Sequence, residues 1–176
     1  MLRVGDELIT LTDPESSASE AYRTLRTNIL MRNFDKDMKV INIISTTAQE
    51  GKTTCVLNLA MVYAQLQKKV LVIDLDLRMP TIHKKLKLKN KKGISDIIGH
   101  QAEFEEVVLQ PYENVDVITA GTKIPFASEF IQSKALKEFI DERRKDYDLI
   151  LLDCPPVGLV TDGVVAASYC DGTILV

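Results

Sequence analysis

Val40-Ile41-Asn42-Ile43-Ile44-Ser45-Thr46-Thr47-Ala48-Gln49-Glu50-Gly51-Lys52-Thr53-Thr54 carries an apolar strand into a Gly-Lys-Thr loop and on into a helix. Strand, loop and helix in that order build a polyphosphate cradle: backbone N–H groups of the loop and the first helical turn face the phosphates. In that reading Gln49, Glu50, Gly51 and Thr54 contribute the loop and first turn, Lys52 reaches the β and γ oxygens, and the Thr53 hydroxyl holds Mg²⁺. ATP and Mg²⁺ are the implied ligands. The loop departs from the full G-x-x-x-x-G-K-[ST] pattern, which puts glycine where Thr46 stands. A Gly-Lys-Thr tripeptide is common, so its partners elsewhere in the chain decide its meaning.

The composition is that of a globular protein, with 45% hydrophobic and 27% charged residues among 176. That length fits one domain, residues 1–176. The longest apolar runs, Val70 to Ile73 and Leu149 to Leu152, fall far short of the roughly 20 residues of a membrane span. Arg3, Asp6 and Glu7 interrupt any signal-peptide stretch, so a cytoplasmic location is expected. Cys55, Cys154 and Cys170 form no C-x-x-C pair, and with two histidines no zinc or cluster site is expected. The net charge of −3 argues against a nucleic-acid partner. The basic stripe from His83 to Lys92 reads first as a solvated loop and helix end, with docking to an acidic partner or anionic membrane as the alternative.

Apolar strands alternate with helical patterns, which predicts an α/β fold: a three-layer P-loop NTPase with a mostly parallel central sheet and helices on both faces. A first helix is expected over about residues 17–32, opened by a capping box of Ser17 and Glu20, with Tyr22, Leu25 and Ile29 on its apolar side. Val56, Leu59, Ala60, Tyr63 and Leu66 mark the helix after the loop. Strands are expected at 40–45, 70–75, 115–119, 149–152 and from 173. Short helices are expected at 93–99 and 104–109, and a longer one around Leu136, Phe139 and Ile140.

Two of these strands end in carboxylates. Val70 to Leu75 delivers Asp74 and then Asp76, which share a side if the strand stays extended; Leu149 to Leu152 delivers Asp153, and Pro155-Pro156 stop the strand there. Each aspartate alone reads as a cap or turn residue. Three converging on Lys52 favour a Mg²⁺-nucleotide site, because neighbouring buried carboxylates repel unless a cation sits among them.

These residues resemble the bacterial tyrosine kinases of capsular and exopolysaccharide synthesis, relatives of the MinD/ParA-like ATPases. Glu20 to Ile29 resembles the family's E-x-x-R-x-x-R segment, Val70 to Pro80 its second Walker motif, and Asp153 to Val157 with Thr161-Asp162 its Walker B region. The stretch from Asp76 to Gly99, with Arg78, Pro80, His83, Asn90, Gly93 and Ser95, follows the same wording. The resemblance implies transfer of the ATP γ-phosphoryl group to protein tyrosine. It assigns Lys52, Asp74, Asp76 and Asp153 to catalysis and Thr53, Asp74 and Asp153 to Mg²⁺; which of Asp74 and Asp76 is the base stays open. It also implies self-association into a ring through Glu20, Arg23 and Arg26, although an internal capping box and ion pair is the plainer account of those residues. A separate transmembrane activator of the polysaccharide co-polymerase type would hold the protein at the inner face of the plasma membrane.

The chain departs from the family pattern in three places. Ala48-Gln49 replaces Pro-Gly in the loop, and Gly121 to Glu129 keeps the frame of a proline-rich loop but loses its asparagine and two prolines. A C-terminal tyrosine cluster and the strand-helix-strand units after Walker B are missing, which reads as a fragment or a shortened member. The five tyrosines, Tyr22, Tyr63, Tyr112, Tyr147 and Tyr169, fall mostly where a helix or strand would fix them. The alternatives are a ParA/MinD-type ATPase, disfavoured because Thr47 stands at that branch's signature lysine, and a nucleotide-gated regulatory module without kinase activity. Met31 and Phe34 read as core or interface filler, and His83 and His100 carry no assigned role.

Overall fold

The computed structural model describes residues 8–32 and 37–176; the expectations resting on Arg3, Asp6, Glu7 and Phe34 lie outside them. Six strands form one sheet: β1 (Val40–Ile44), β2 (Val70–Asp74), β3 (Leu109–Tyr112), β4 (Val115–Ile118), β5 (Leu149–Asp153) and β6 (Gly172–Leu175), in the order β3-β4-β2-β5-β1-β6. Every pairing is parallel except the edge hairpin of β3 and β4. The central strands are aliphatic throughout because both faces are covered. Alternate residues divide between two cores: Ile41, Ile43, Val70, Val72, Leu149 and Leu151 face one side, and Val40, Leu71, Ile73, Ile150 and Leu152 the other.

Over the first face pack α1 (Ile9–Thr12), α2 (Ser17–Arg32), α3 (Lys52–Ala64) and α4 (Ile82–Lys85). Over the second lie α5 (Ile94–Ile98), α6 (Phe104–Val107), α7 (Ala127–Ile131), α8 (Lys134–Arg143) and α9 (Asp162–Ala167). This is the expected three-layer arrangement. Helix α3 is wedged between the sheet and α1 and α2, buried from Cys55 through Tyr63. A helix apolar on every side belongs in such a place. Its one buried amide, Asn58, is satisfied by accepting from the Thr10 N–H at 3.1 Å and the Thr10 hydroxyl at 2.9 Å, and by donating to the Thr54 carbonyl.

Several local expectations need correction. Helix α2 spans the expected residues, but Ser17 and Glu20 do not form the capping box. The Ser16 hydroxyl accepts from the Ser19 N–H at 3.2 Å, while Glu20 turns forward to Arg23 at 2.8 Å. Ser16, Ser17 and Ser19 are equally able to cap, and the tight turn at Asp13 selects the first. The helix expected over 104–109 stops at Val107, and Leu109–Tyr112 pairs as the edge strand β3. Pro111 hid that strand, since proline is tolerated only where one side of the ladder is open. Met31 is 64% exposed and fills no core within this chain. The basic stripe is solvated as expected: Ile82 and Leu86 turn inward, while Lys84, Lys87, Lys89, Lys91 and Lys92 are exposed.

Candidate active site

Parallel strands present their C-terminal ends together, and the chemistry-bearing residues sit at three of these ends. The register pairs Asp153 with Ile43 of β1 on one side and with Asp74 of β2 on the other. The loop leaving β1 therefore passes beside both carboxylates before α3 begins. Its turn depends on left-handed backbone at Gln49 (φ 67) and Gly51 (φ 93). A Cβ on Gly51 would meet nothing within 4 Å, so the glycine answers a conformational need rather than a lack of space. The Glu50 carboxylate accepts from the Thr47 N–H at 2.8 Å and braces the loop across its width.

Lys52, the first residue of α3, places its ammonium 2.7 Å from Asp153 and 3.7 Å from Asp76. The Thr53 hydroxyl donates to the second Asp153 oxygen at 2.6 Å and lies 2.9 Å from the Thr81 hydroxyl. Burial opposes the charge on Lys52, but Asp153 beside it, with Asp76 and Asp74 further off, lifts its pKa above the ordinary lysine value. Burial pushes the Asp153 carboxyl up while Lys52 and the Thr53 hydroxyl pull it down, and the 2.7 Å contact holds the two groups together.

Asp74 and Asp76 part company. The strand ends at Asp74, and the chain turns so that the two carboxylates do different things. Asp74 is fully buried; its oxygens accept from the N–H groups of Asp76 and Ile82, each at 3.2 Å, which ties down the loop leading to α4. Burial, with the charge of neighbouring Asp153, pushes its pKa well above the usual carboxylate range. Asp76 accepts from the Met79 N–H at 3.0 Å and lines a cavity of about 420 Å³ together with Gln49, Gly51, Lys52, Thr53 and Thr54. Met79, Pro155, Pro156, Leu159 and Val160 form its apolar wall, with Met79 and Leu159 largely exposed.

Two further cations line this cavity and had no role from the sequence. Lys85 donates to the Thr54 hydroxyl at 3.2 Å. Arg78 is tied by its Nη2 to the Ser128 hydroxyl at 2.8 Å and by its Nε to Asp162 at 3.3 Å. Both belong to stretches quoted for their resemblance, but only the folded chain shows that residues 78, 128 and 162 meet. The residues expected to serve self-association are split. Glu20 and Arg23 pair at the surface, whereas Arg26 reaches inward, donating to the Val62 carbonyl of α3 at 2.7 Å.

The site suits a magnesium nucleotide. Its volume falls in the range of small-ligand pockets, and the loop lies at the N-terminus of a 13-residue helix. Three carboxylates face a single loop lysine. Among the described residues no group of three or more His, Cys, Asp or Glu side chains forms a metal cage.

Residues 38–171 match the AAA_31 family of AAA domains. Over 175 residues the chain is 39% identical to tyrosine-protein kinase YwqD of Bacillus subtilis, covering 99% of this chain and 74% of that protein. Among solved structures, the kinase domain of Escherichia coli tyrosine kinase ETK superposes with a TM-score of 0.92 at 30% identity, over 96% of this chain and 67% of that one. The septum site-determining protein MinD of Pyrococcus horikoshii, complexed with Mg-ADP, gives a TM-score of 0.66 at 28% identity, over 78% and 57%. With the Gly-Lys-Thr loop, the paired Lys52 and Asp153, and a MinD-like parallel sheet beneath them, the chain belongs to the bacterial tyrosine-protein kinases.

Proposed function

We propose that this chain transfers the terminal phosphoryl group of Mg²⁺-ATP to a tyrosine hydroxyl of a protein acceptor, and so regulates capsular or exopolysaccharide synthesis and export. The observation that carries the reading is that Lys52, Thr53 and Asp76 line one cavity at the strand ends, with buried Asp153 gripping Lys52 and Thr53 from beneath. The loop amides and Lys52 bind and orient the phosphates, since positioning and charge neutralisation dominate phosphoryl transfer. Thr53 and Asp153 would hold Mg²⁺, which would supply charge neutralisation at the phosphates. Asp76 is the base: its carboxylate reaches the cavity and takes the acceptor proton as the tyrosine oxygen bonds to phosphorus and ADP leaves. Asp74 supports the site from behind by fixing the backbone at Asp76 and Ile82.

None of this chain's five tyrosines lines its own cavity, so the acceptor tyrosine comes from another molecule. Tyr63 and Tyr147 are buried, and Tyr22, Tyr112 and Tyr169 are partly buried within or beside their elements. Tyr147 donates to Asp116 at 2.6 Å, and burial raises its pKa first, with Asp116 adding to the shift. Self-association through the exposed Glu20–Arg23 pair, into a ring of kinase chains, would bring a neighbour's tyrosine to the cavity. Among the described residues no helix is long and apolar enough to cross a membrane. A transmembrane partner of the polysaccharide co-polymerase type would activate the chain at the inner face of the plasma membrane.

Lys52→Met, incubated with Mg²⁺-ATP and probed for phosphotyrosine on a supplied acceptor, is expected to lose the product by a factor of about 10² or more, since the lysine contacts the transferred group. Wild-type turnover in that variant would remove the assignment. Phosphate release by the parent without any phosphotyrosine would move the chain to the MinD-type ATPases.

A further inference from the structure

Lys52 is already engaged. Its ammonium sits against Asp153 at 2.7 Å, with Asp76 at 3.7 Å, so much of its charge is spent before any phosphate arrives. A nucleoside triphosphate carries several negative charges, and the site therefore needs cationic help that the Gly-Lys-Thr loop does not name.

Arg78 has the geometry for it. One edge of its guanidinium is fixed: Nη2 donates to the Ser128 hydroxyl at 2.8 Å, and Nε faces an oxygen of Asp162 at 3.3 Å. Ser128 donates in turn to the other Asp162 oxygen at 2.7 Å, closing a three-residue ring of contacts between the loop after β2, α7 and α9. Asp162 is 1% exposed, whereas the Arg78 side chain is 45% exposed and lines the nucleotide cavity. Among the described residues Nη1 has no acceptor. A planar guanidinium held by one edge offers its remaining donors in a set direction, and that preorganisation lowers the entropy lost when an anion binds.

We propose that Arg78 binds the terminal phosphate of the nucleotide, with Ser128 and Asp162 as its positioning residues, and that it is the second cation of the transfer step. This rests on the kinase reading above. A plain structural latch between the same three elements makes a different forecast, because its loss would weaken the fold and all ligands alike.

The test measures the affinity of the full chain for Mg²⁺-ADP and for Mg²⁺ with a non-hydrolysable ATP analogue. Arg78→Gln is expected to weaken the analogue about tenfold, as for one charge-assisted hydrogen bond, and to leave ADP within about twofold. Arg78→Lys, which keeps the charge without the fork, is expected to recover part of the analogue affinity. Ser128→Ala, which frees the guanidinium and keeps it present, should weaken the analogue by about threefold. Equal losses for both nucleotides, or no loss for either, overturn the proposal; should Arg78→Gln not fold, Ser128→Ala decides by the same comparison. A parent chain that binds neither nucleotide would instead sink the kinase reading on which the proposal stands.

Discussion

Asp96 shows how much one carboxylate can organise away from the reaction. It is 4% exposed, and its Oδ2 accepts from the N–H groups of Gly93 at 2.8 Å and Thr122 at 3.0 Å, while Oδ1 accepts from the Thr122 hydroxyl at 2.6 Å. Gly121 turns beside it with φ 84, and a Cβ there would lie 2.3 Å from the same Oδ2. Burial works against the charge, but the hydrogen bonds from Thr122, Gly93 and Ser95 outweigh it and hold the pKa below the ordinary value. Because the folded pKa is depressed, the stabilisation is present above the unfolded value of about 3.9 and is lost as pH falls through the folded one. Asp96→Asn should therefore cost about 1–3 kcal/mol at neutral pH. The gap to the parent should close in acid, as read from urea midpoints over a pH series; a gap that stayed constant would show that the charge is not what counts. Nothing in the sequence marks Asp96 as a site, because its partners at 121 and 122 are brought near only by folding. Gln49 was legible as a replacement for glycine, yet not its consequence. The chain keeps the left-handed turn at φ 67, at a cost of about 1–2 kcal/mol for a side chain with a Cβ.

Helices α2 and α3 meet through residues whose spacing was readable and whose purposes were not. The period of Tyr22, Leu25 and Ile29 placed α2 and its apolar side correctly, since those residues pack on the first core. Steps of three also put Glu20, Arg23 and Arg26 on one side, but the helix drifts round its axis between them. By Arg26 the side chain has swung against α3, where it donates to the Val62 carbonyl in the last turns of that helix. A cation there complements the helix dipole. Arg26→Ala should lower the unfolding free energy by about 1–2 kcal/mol through that lost contact. Arg23→Ala removes only an exposed ion pair and a bond to the Pro14 carbonyl, and should change stability by less than about 1 kcal/mol. Thermal unfolding separates the two. If the exposed pair serves self-association, Arg23→Ala should also shift the sedimentation profile toward the monomer with the melting point held, and an unchanged profile in an oligomerising parent would end that assignment. Strand β3 and helix α9 gave weaker signals. Pro111 interrupts one, and Gly163 with β-branched Val164 and Val165 weakens the other as a helix, so packing at the sheet edge and against β1 decides both.

At the scale of the whole molecule, the parallel sheet explains what could be read from the chain. Once β1, β2 and β5 are adjacent and parallel, Lys52, Asp74 and Asp153 must lie at one edge, because each follows or ends one of those strands. The separation of Asp74 from Asp76 could not be read, since it depends on the strand ending between them. The energetics follow from the same edge. Three aspartates converge with one loop lysine, and Asp74 is charged only against burial and the field of Asp153. In a bound magnesium nucleotide the Mg²⁺ would place positive charge beside the carboxylates while the nucleotide fills the cavity, so binding should favour the folded state strongly. With Mg²⁺-ADP at a hundred times its dissociation constant, the unfolding free energy should rise by about 2.7 kcal/mol. For a chain of this size that corresponds to a melting shift of roughly 5–10 °C. Lys52→Met should remove most of the shift, and withholding Mg²⁺ should reduce it in the parent, both visible in a thermal scan with and without nucleotide. A parent whose melting point does not respond to Mg²⁺-ADP at any concentration would show that the converging carboxylates and lysine hold one another and take no ligand.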